Sequence, residues 1–78
     1  MDVSFITIPY EAKIYLDGKE ARDAHGVPYR TPCTVPGLPG RMHRVVFERE
    51  GLRNLDIGDQ DLGATREVVG KWPEAARP

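Results

Sequence analysis

The sequence predicts an all-β domain, a small antiparallel β-sandwich of six to seven short strands. Three observations carry that prediction. Apolar and polar residues alternate with a period of two in several short runs, as in Ala12, Ile14 and Leu16 against Lys13, Tyr15 and Asp17. Gly and Pro, 8 and 7 of them in 78 residues, separate those runs at the spacing of turns. No stretch sustains the 3.6-residue period of a helix, and the best candidate, residues 20–24, amounts to one turn. No connection has room for a crossover helix, so the pairing is expected to be antiparallel.

Taken in order, residues 3–8 form the first strand, rich in β-branched and aromatic side chains. Val3 and Phe5 share one face, while Ile6 and Ile8 share the other. An apolar group on both faces implies packing on each side, or a subunit contact on one of them. Pro9 lacks a ladder donor and fixes φ, so the strand ends or bends there. Residues 12–16 form the second strand, and Asp17-Gly18 suits a tight reversal. Residues 17–30 are polar, hold Gly18, Gly26 and Pro28, and read as a long loop. Residues 31–35 make a short strand between Pro32 and Pro36, which confine it to a sheet edge.

After the turn Gly37-Leu38-Pro39-Gly40 comes the run 41–50. Here His43, Val45 and Phe47 face one way, and Met42, Arg44, Val46 and Glu48 the other. Gly51 breaks it. Residues 52–57 form the next strand, residues 58–63 a turn-rich connection, and residues 65–72 a last strand with Val68, Val69 and Trp72. The expected inward set is Phe5, Ile14, Leu16, Val35, Val45, Phe47, Leu55 and Val68. Residues 1–72 are read as one domain and residues 73–78 as a frayed tail or linker.

Size and composition narrow the function. A chain this short buries only about 60% of its unfolded surface, so its core is thin. Eleven Lys and Arg against twelve Asp and Glu leave a net charge of −1, which argues against nucleic acid or an anionic membrane surface as partner. The single cysteine, Cys33, cannot form an intrachain disulfide. No apolar run approaches the roughly 20 residues of a spanning helix, and the first residues lack the pattern of a secretory leader. As a complete protein the chain stays in the compartment that makes it. As a domain cut from a longer protein, it could be extracytoplasmic.

The chemistry-bearing residues point away from catalysis. Cys33, His25 and His43 are separated by 8 and 10 residues, which matches no short zinc-ligand pair. His43 lies on the apolar face of its strand, where a hydrogen-bonded, partly buried imidazole is the simpler expectation. Asp59-Gln60-Asp61 fits a calcium loop only in part, and Asp and Gly are ordinary turn residues. No nucleophile set, acid/base pair or cofactor loop appears, so no catalytic residue, metal ligand or cofactor is assigned. Tyr10, Tyr15 and Tyr29, with Arg30 beside the last, are the candidate ligand or partner surface, since exposed aromatics suit sugars and peptides. An open strand edge offers a second route, to a partner strand or to another copy of the chain.

Set in order, these segments resemble the PEGA domain family. Its Pro-Glu-Gly-Ala tetrapeptide is matched by Pro9-Tyr10-Glu11-Ala12, after an apolar strand and before Ile14-Tyr15-Leu16-Asp17-Gly18. A Thr-Pro step follows at Thr31-Pro32, then a Pro-Gly turn into a strand at Leu38-Pro39-Gly40-Arg41-Met42-His43-Arg44-Val45. The strand closes at Gly51, and the likeness spans roughly residues 3–69. Two departures stand out: Tyr10-Glu11 replaces Glu-Gly, and the segment between Gly18 and Thr31 is longer. The resemblance implies a transthyretin-like sandwich without catalytic activity. Such domains are accessory modules of bacterial and archaeal surface proteins, or of signalling proteins such as serine/threonine kinases. It leads to the expectation of an interaction module contacting protein or surface glycan, with a structural spacer or assembly domain as the alternative.

Overall fold

The computed structural model describes residues 2–73. Its strands are β1 (Val3–Ile8), β2 (Lys13–Leu16), β3 (Lys19–Glu20), β4 (Cys33–Val35), β5 (Met42–Glu48), β6 (Leu55–Asp61) and β7 (Glu67–Lys71). They form a three-stranded sheet ordered β4-β1-β7 and a four-stranded sheet ordered β3-β2-β5-β6. The described residues contain no helix, including at residues 20–24. Residues 74–78, most of the expected tail, lie outside the described residues.

The alternation read in the sequence sets which side chains meet between the sheets. Val3, Phe5, Ile14, Val35, Val45, Phe47 and Val68 are buried, with Leu16 and Leu55 packed against them. Phe47 sits at the centre: Phe5 meets it edge-on with ring centroids 6.3 Å apart, and Trp72 is tilted against it at 6.4 Å. Gly70 of β7 faces Phe47 so closely that an added Cβ would lie 2.6 Å from its ring. Ala12, Leu62 and Trp72 complete the core, none of them in the expected inward set. Leu62 falls in the stretch read as a turn, yet it is fully buried and its amide donates to the Arg41 carbonyl.

Three expectations are corrected. Pairing is antiparallel except between β1 and β7, which run parallel with Phe5 beside Val68. The missing crossover helix is replaced by the strands of the opposite sheet, which carry the chain over the sandwich and back. The strand expected at residues 52–57 begins at Leu55 and runs through Gly58 to Asp61. A register shift at Val45/Val46 and a φ of +74° at Gly58 absorb the glycine as a bulge, so it bends the strand instead of ending it. Residues 17–30 are not an unstructured loop either. β2 and β3 pair around Asp17-Gly18, both residues having positive φ as a type I′ turn requires. Beyond them Arg22 bridges Pro28, and the Asp23 carboxylate accepts the amides of His25 and Val27.

Two segments distant in sequence lock together at the first corner. Glu11 donates its amide to the Thr31 carbonyl at 2.8 Å, and Thr31 donates its own to the Ala12 carbonyl at 3.0 Å. Thr7 and Thr31 are buried, with hydroxyl oxygens 2.5 Å apart. Proton counting fixes the direction of this chain. Thr7 donates to the Pro9 carbonyl, so Thr31 must donate to Thr7, while Ala12 N–H donates to Thr31 Oγ1. Each buried polar atom in it is satisfied.

Candidate functional site

The corner and the far end of β5 enclose an open groove of about 640 Å³. Glu11 from the corner, Lys13 at the start of β2, Arg30, Glu48, and the β5–β6 loop with Arg49, Glu50 and Leu52 line it. Backbone register builds the site. Lys13 lies opposite Glu48 on one side and bridges Arg30 on the other. Arg49 Nε donates to the Tyr10 carbonyl at 2.8 Å, tying the loop to the corner. Gly51, with φ of +82°, turns the loop, and half-buried Leu52 packs on the core.

Three acids and three cations share this lining, so neither sign dominates. Lys13 Nζ is 3.7 Å from Glu20 Oε2, a weak surface pair. Among the described residues Arg30, Glu11 and Glu50 make no side-chain hydrogen bond or ion pair. Charges without internal partners, set beside the apolar Leu52, can accept an incoming ligand without breaking existing bonds.

The sequence-selected residues divide. Arg30 lines the groove, and Tyr10 is exposed, its carbonyl accepting a hydrogen bond from the lining residue Arg49. Tyr15 lies on the outer face of β2, opposite Val46; partial burial and the neighbouring Glu48 and Glu20 raise its phenol above the ordinary range. Tyr29 is half-buried against the core. The three rings differ in exposure: Tyr10 is exposed, whereas Tyr15 and Tyr29 are half-buried. Lys13, Glu48, Arg49 and Leu52 were not singled out in the sequence. The signal available was a charged run, Glu48-Arg49-Glu50, stopped by Gly51 at a hairpin end.

The other titratable residues are engaged elsewhere. His43 is 4% exposed, with Nδ1 2.7 Å from Asp17 Oδ2 and Nε2 3.0 Å from the Pro39 carbonyl. Asp17 Oδ1 also accepts the Arg44 amide, and these bonds hold its carboxyl below the ordinary carboxylate range. Asp56 is lowered by its hydrogen bond to the Arg44 side chain and by the Gly58 amide. Burial pushes the Cys33 thiol upward, away from thiolate reactivity. Among the described residues no three His, Cys, Asp or Glu side chains are placed to hold a metal ion. No helix among them is long and apolar enough to cross a membrane.

Two small sheets closed over one aromatic core, with a charged groove at a corner, define a compact β-sandwich module. The PEGA domain family model matches residues 1–58, and the chain belongs to that family. The match ends inside β6, before β7. No curated protein and no solved structure matches the chain.

Proposed function

We propose that this PEGA domain is a non-enzymatic interaction module of a larger signalling or envelope protein, and that its corner groove receives an extended segment of a partner protein carrying both charges. The observation that carries this reading is Arg30, unpaired among the described residues, facing an open groove that Glu11 and Glu50 also border. Leu52 supplies an apolar floor, and such a segment could satisfy both signs of charge at once. Amide chemical shifts of the ¹⁵N-labelled chain, followed during titration with alternating Lys/Glu peptides and with cell-wall glycan fragments, test it. Shifts are expected at Arg30, Glu50 and Leu52 with the peptides, and Arg30→Glu should weaken them. Groove shifts with glycans alone would replace the peptide by a sugar, and silence from both would remove the groove from consideration.

A second reading is a structural assembly domain. It is favoured by the outward face of β1 and β7, where Ile8 and Val69 are 51% and 53% exposed beside half-buried Ile6.

A further inference from the structure

We infer that β7 is a self-pairing edge: two copies join it antiparallel about a twofold axis through Val69, making one continuous six-stranded sheet from two β4-β1-β7 sheets. This rests on the assembly reading and is independent of the groove.

Among the described residues the sandwich has four open edges, and three of them are blunted. β3 has two residues, and β4 has three, framed by Pro32 and Pro36. β6 is bent by the bulge at Gly58. β7 alone offers five residues with no bulge or proline inside it.

Its backbone groups point the right way. Ser4 donates to the Arg66 carbonyl and Trp72 donates to the Ile8 carbonyl, so even-numbered residues of this segment bond to β1. In a parallel ladder the alternation continues, leaving the N–H and C=O groups of Glu67, Val69 and Lys71 directed to the open side. Pro73, the next odd-numbered residue, has no N–H and closes the window.

The odd-numbered set is self-complementary. A twofold axis at Val69 puts Val69 opposite its own copy, and Glu67 opposite Lys71 in both directions. All three residues then become hydrogen-bonded pairs. Glu67 and Lys71 are exposed and make no ion pair among the described residues. Opposite charges facing across an antiparallel pair are favourable, and like charges there are not. The seam also lines up Ile6 and Val69 of each copy, since Ile6 lies beside Val69 in register. An exposed apolar side chain is thereby covered.

Sedimentation velocity of the full chain at low salt, over rising concentration, tests the proposal. The wild-type chain should show a concentration-dependent monomer–dimer equilibrium. Glu67→Lys alone and Lys71→Glu alone should each weaken it about tenfold or more, because each sets two like-charge pairs across the seam. The swap Glu67→Lys/Lys71→Glu should restore wild-type association. A mixture of the two single variants should form heterodimers where neither forms homodimers. A chain that stays monomeric up to about 1 mM, the weak end of the affinity scale, overturns both this inference and the assembly reading. Dimers indifferent to the reversals overturn the β7 pairing alone, leaving assembly through another face. A mixture no better than its components does the same. Groove titrations are unaffected by any of these results.

Discussion

Glu11 occupies the position where the family tetrapeptide has glycine, and its φ is +67°. An L-residue there costs roughly 1–2 kcal/mol because Cβ crowds the following carbonyl. Glycine removes that cost but loses more chain entropy on folding, about 0.4–1 kcal/mol. The side chain offsets nothing, since it makes no hydrogen bond or ion pair among the described residues. Glu11→Gly should therefore stabilise the domain by about 0.7 kcal/mol, or about 3–6 °C in Tm at this size. Trp72, the sole tryptophan and a buried one, reports unfolding in urea by its fluorescence. The m-value should not change. Glu11→Ala is the control, because alanine removes the carboxylate and keeps Cβ, and it should move stability by less than about 0.5 kcal/mol. If glycine proves no better than alanine, the corner is not strained at Glu11. Asp17, at φ +52°, provides the contrast. Its carboxylate holds both His43 and Arg44, so Asp17→Gly should destabilise despite relieving the same backbone conformation.

Three further outcomes follow from the packing and the charges. Thr31→Val deprives the Ala12 amide and the Thr7 hydroxyl of their shared partner, and should cost about 2 kcal/mol in urea unfolding, with Thr31→Ser closer to wild type. Gly70→Ala drives a methyl into Phe47 and should cost about 1–3 kcal/mol, visible also as shifted aromatic resonances. Asp17 and Asp56 are held below the ordinary carboxylate value of 3.8. Their stabilisation is complete above that value and is lost as pH falls through the lower native values. Unfolding midpoints should fall as pH drops below about 4, and Asp17→Asn should flatten that acid limb.

What could be read from the sequence was local. β1 spans the six residues expected of it, because Val3–Ile8 is a β-branched and aromatic run that stops at Pro9. The Asp17-Gly18 reversal, the faces of β5 and the edge position of β4 likewise follow from period, turn chemistry and proline. His43 is hydrogen-bonded and buried as its place on the apolar face of β5 implied. The bulge was hidden because a glycine inside a strand and a glycine ending one have the same local signal; only Val45/Val46 across the ladder distinguishes them. Leu62 shows no period of its own, because it lies in a turn and reaches the core only through the tertiary fold. The groove is less legible still. It brings Glu11, Arg30 and Glu50 together from three distant segments, and spacing along the chain carries no trace of that meeting.

The parallel pairing of β1 with β7 has a mechanical consequence. In a parallel pair the start of one strand and the end of the other lie at opposite poles, here separated by about five residues of strand, or about 17 Å. A pull applied at Val3 and Lys71 therefore runs along the two strands in opposing directions. It loads the hydrogen bonds between Ser4–Ile8 and Glu67–Lys71 together in shear, instead of opening them one at a time like a zip. A domain strung between two neighbours through these strands would transmit tension along its first sheet, with the four-stranded sheet carrying the groove to one side of the line of force.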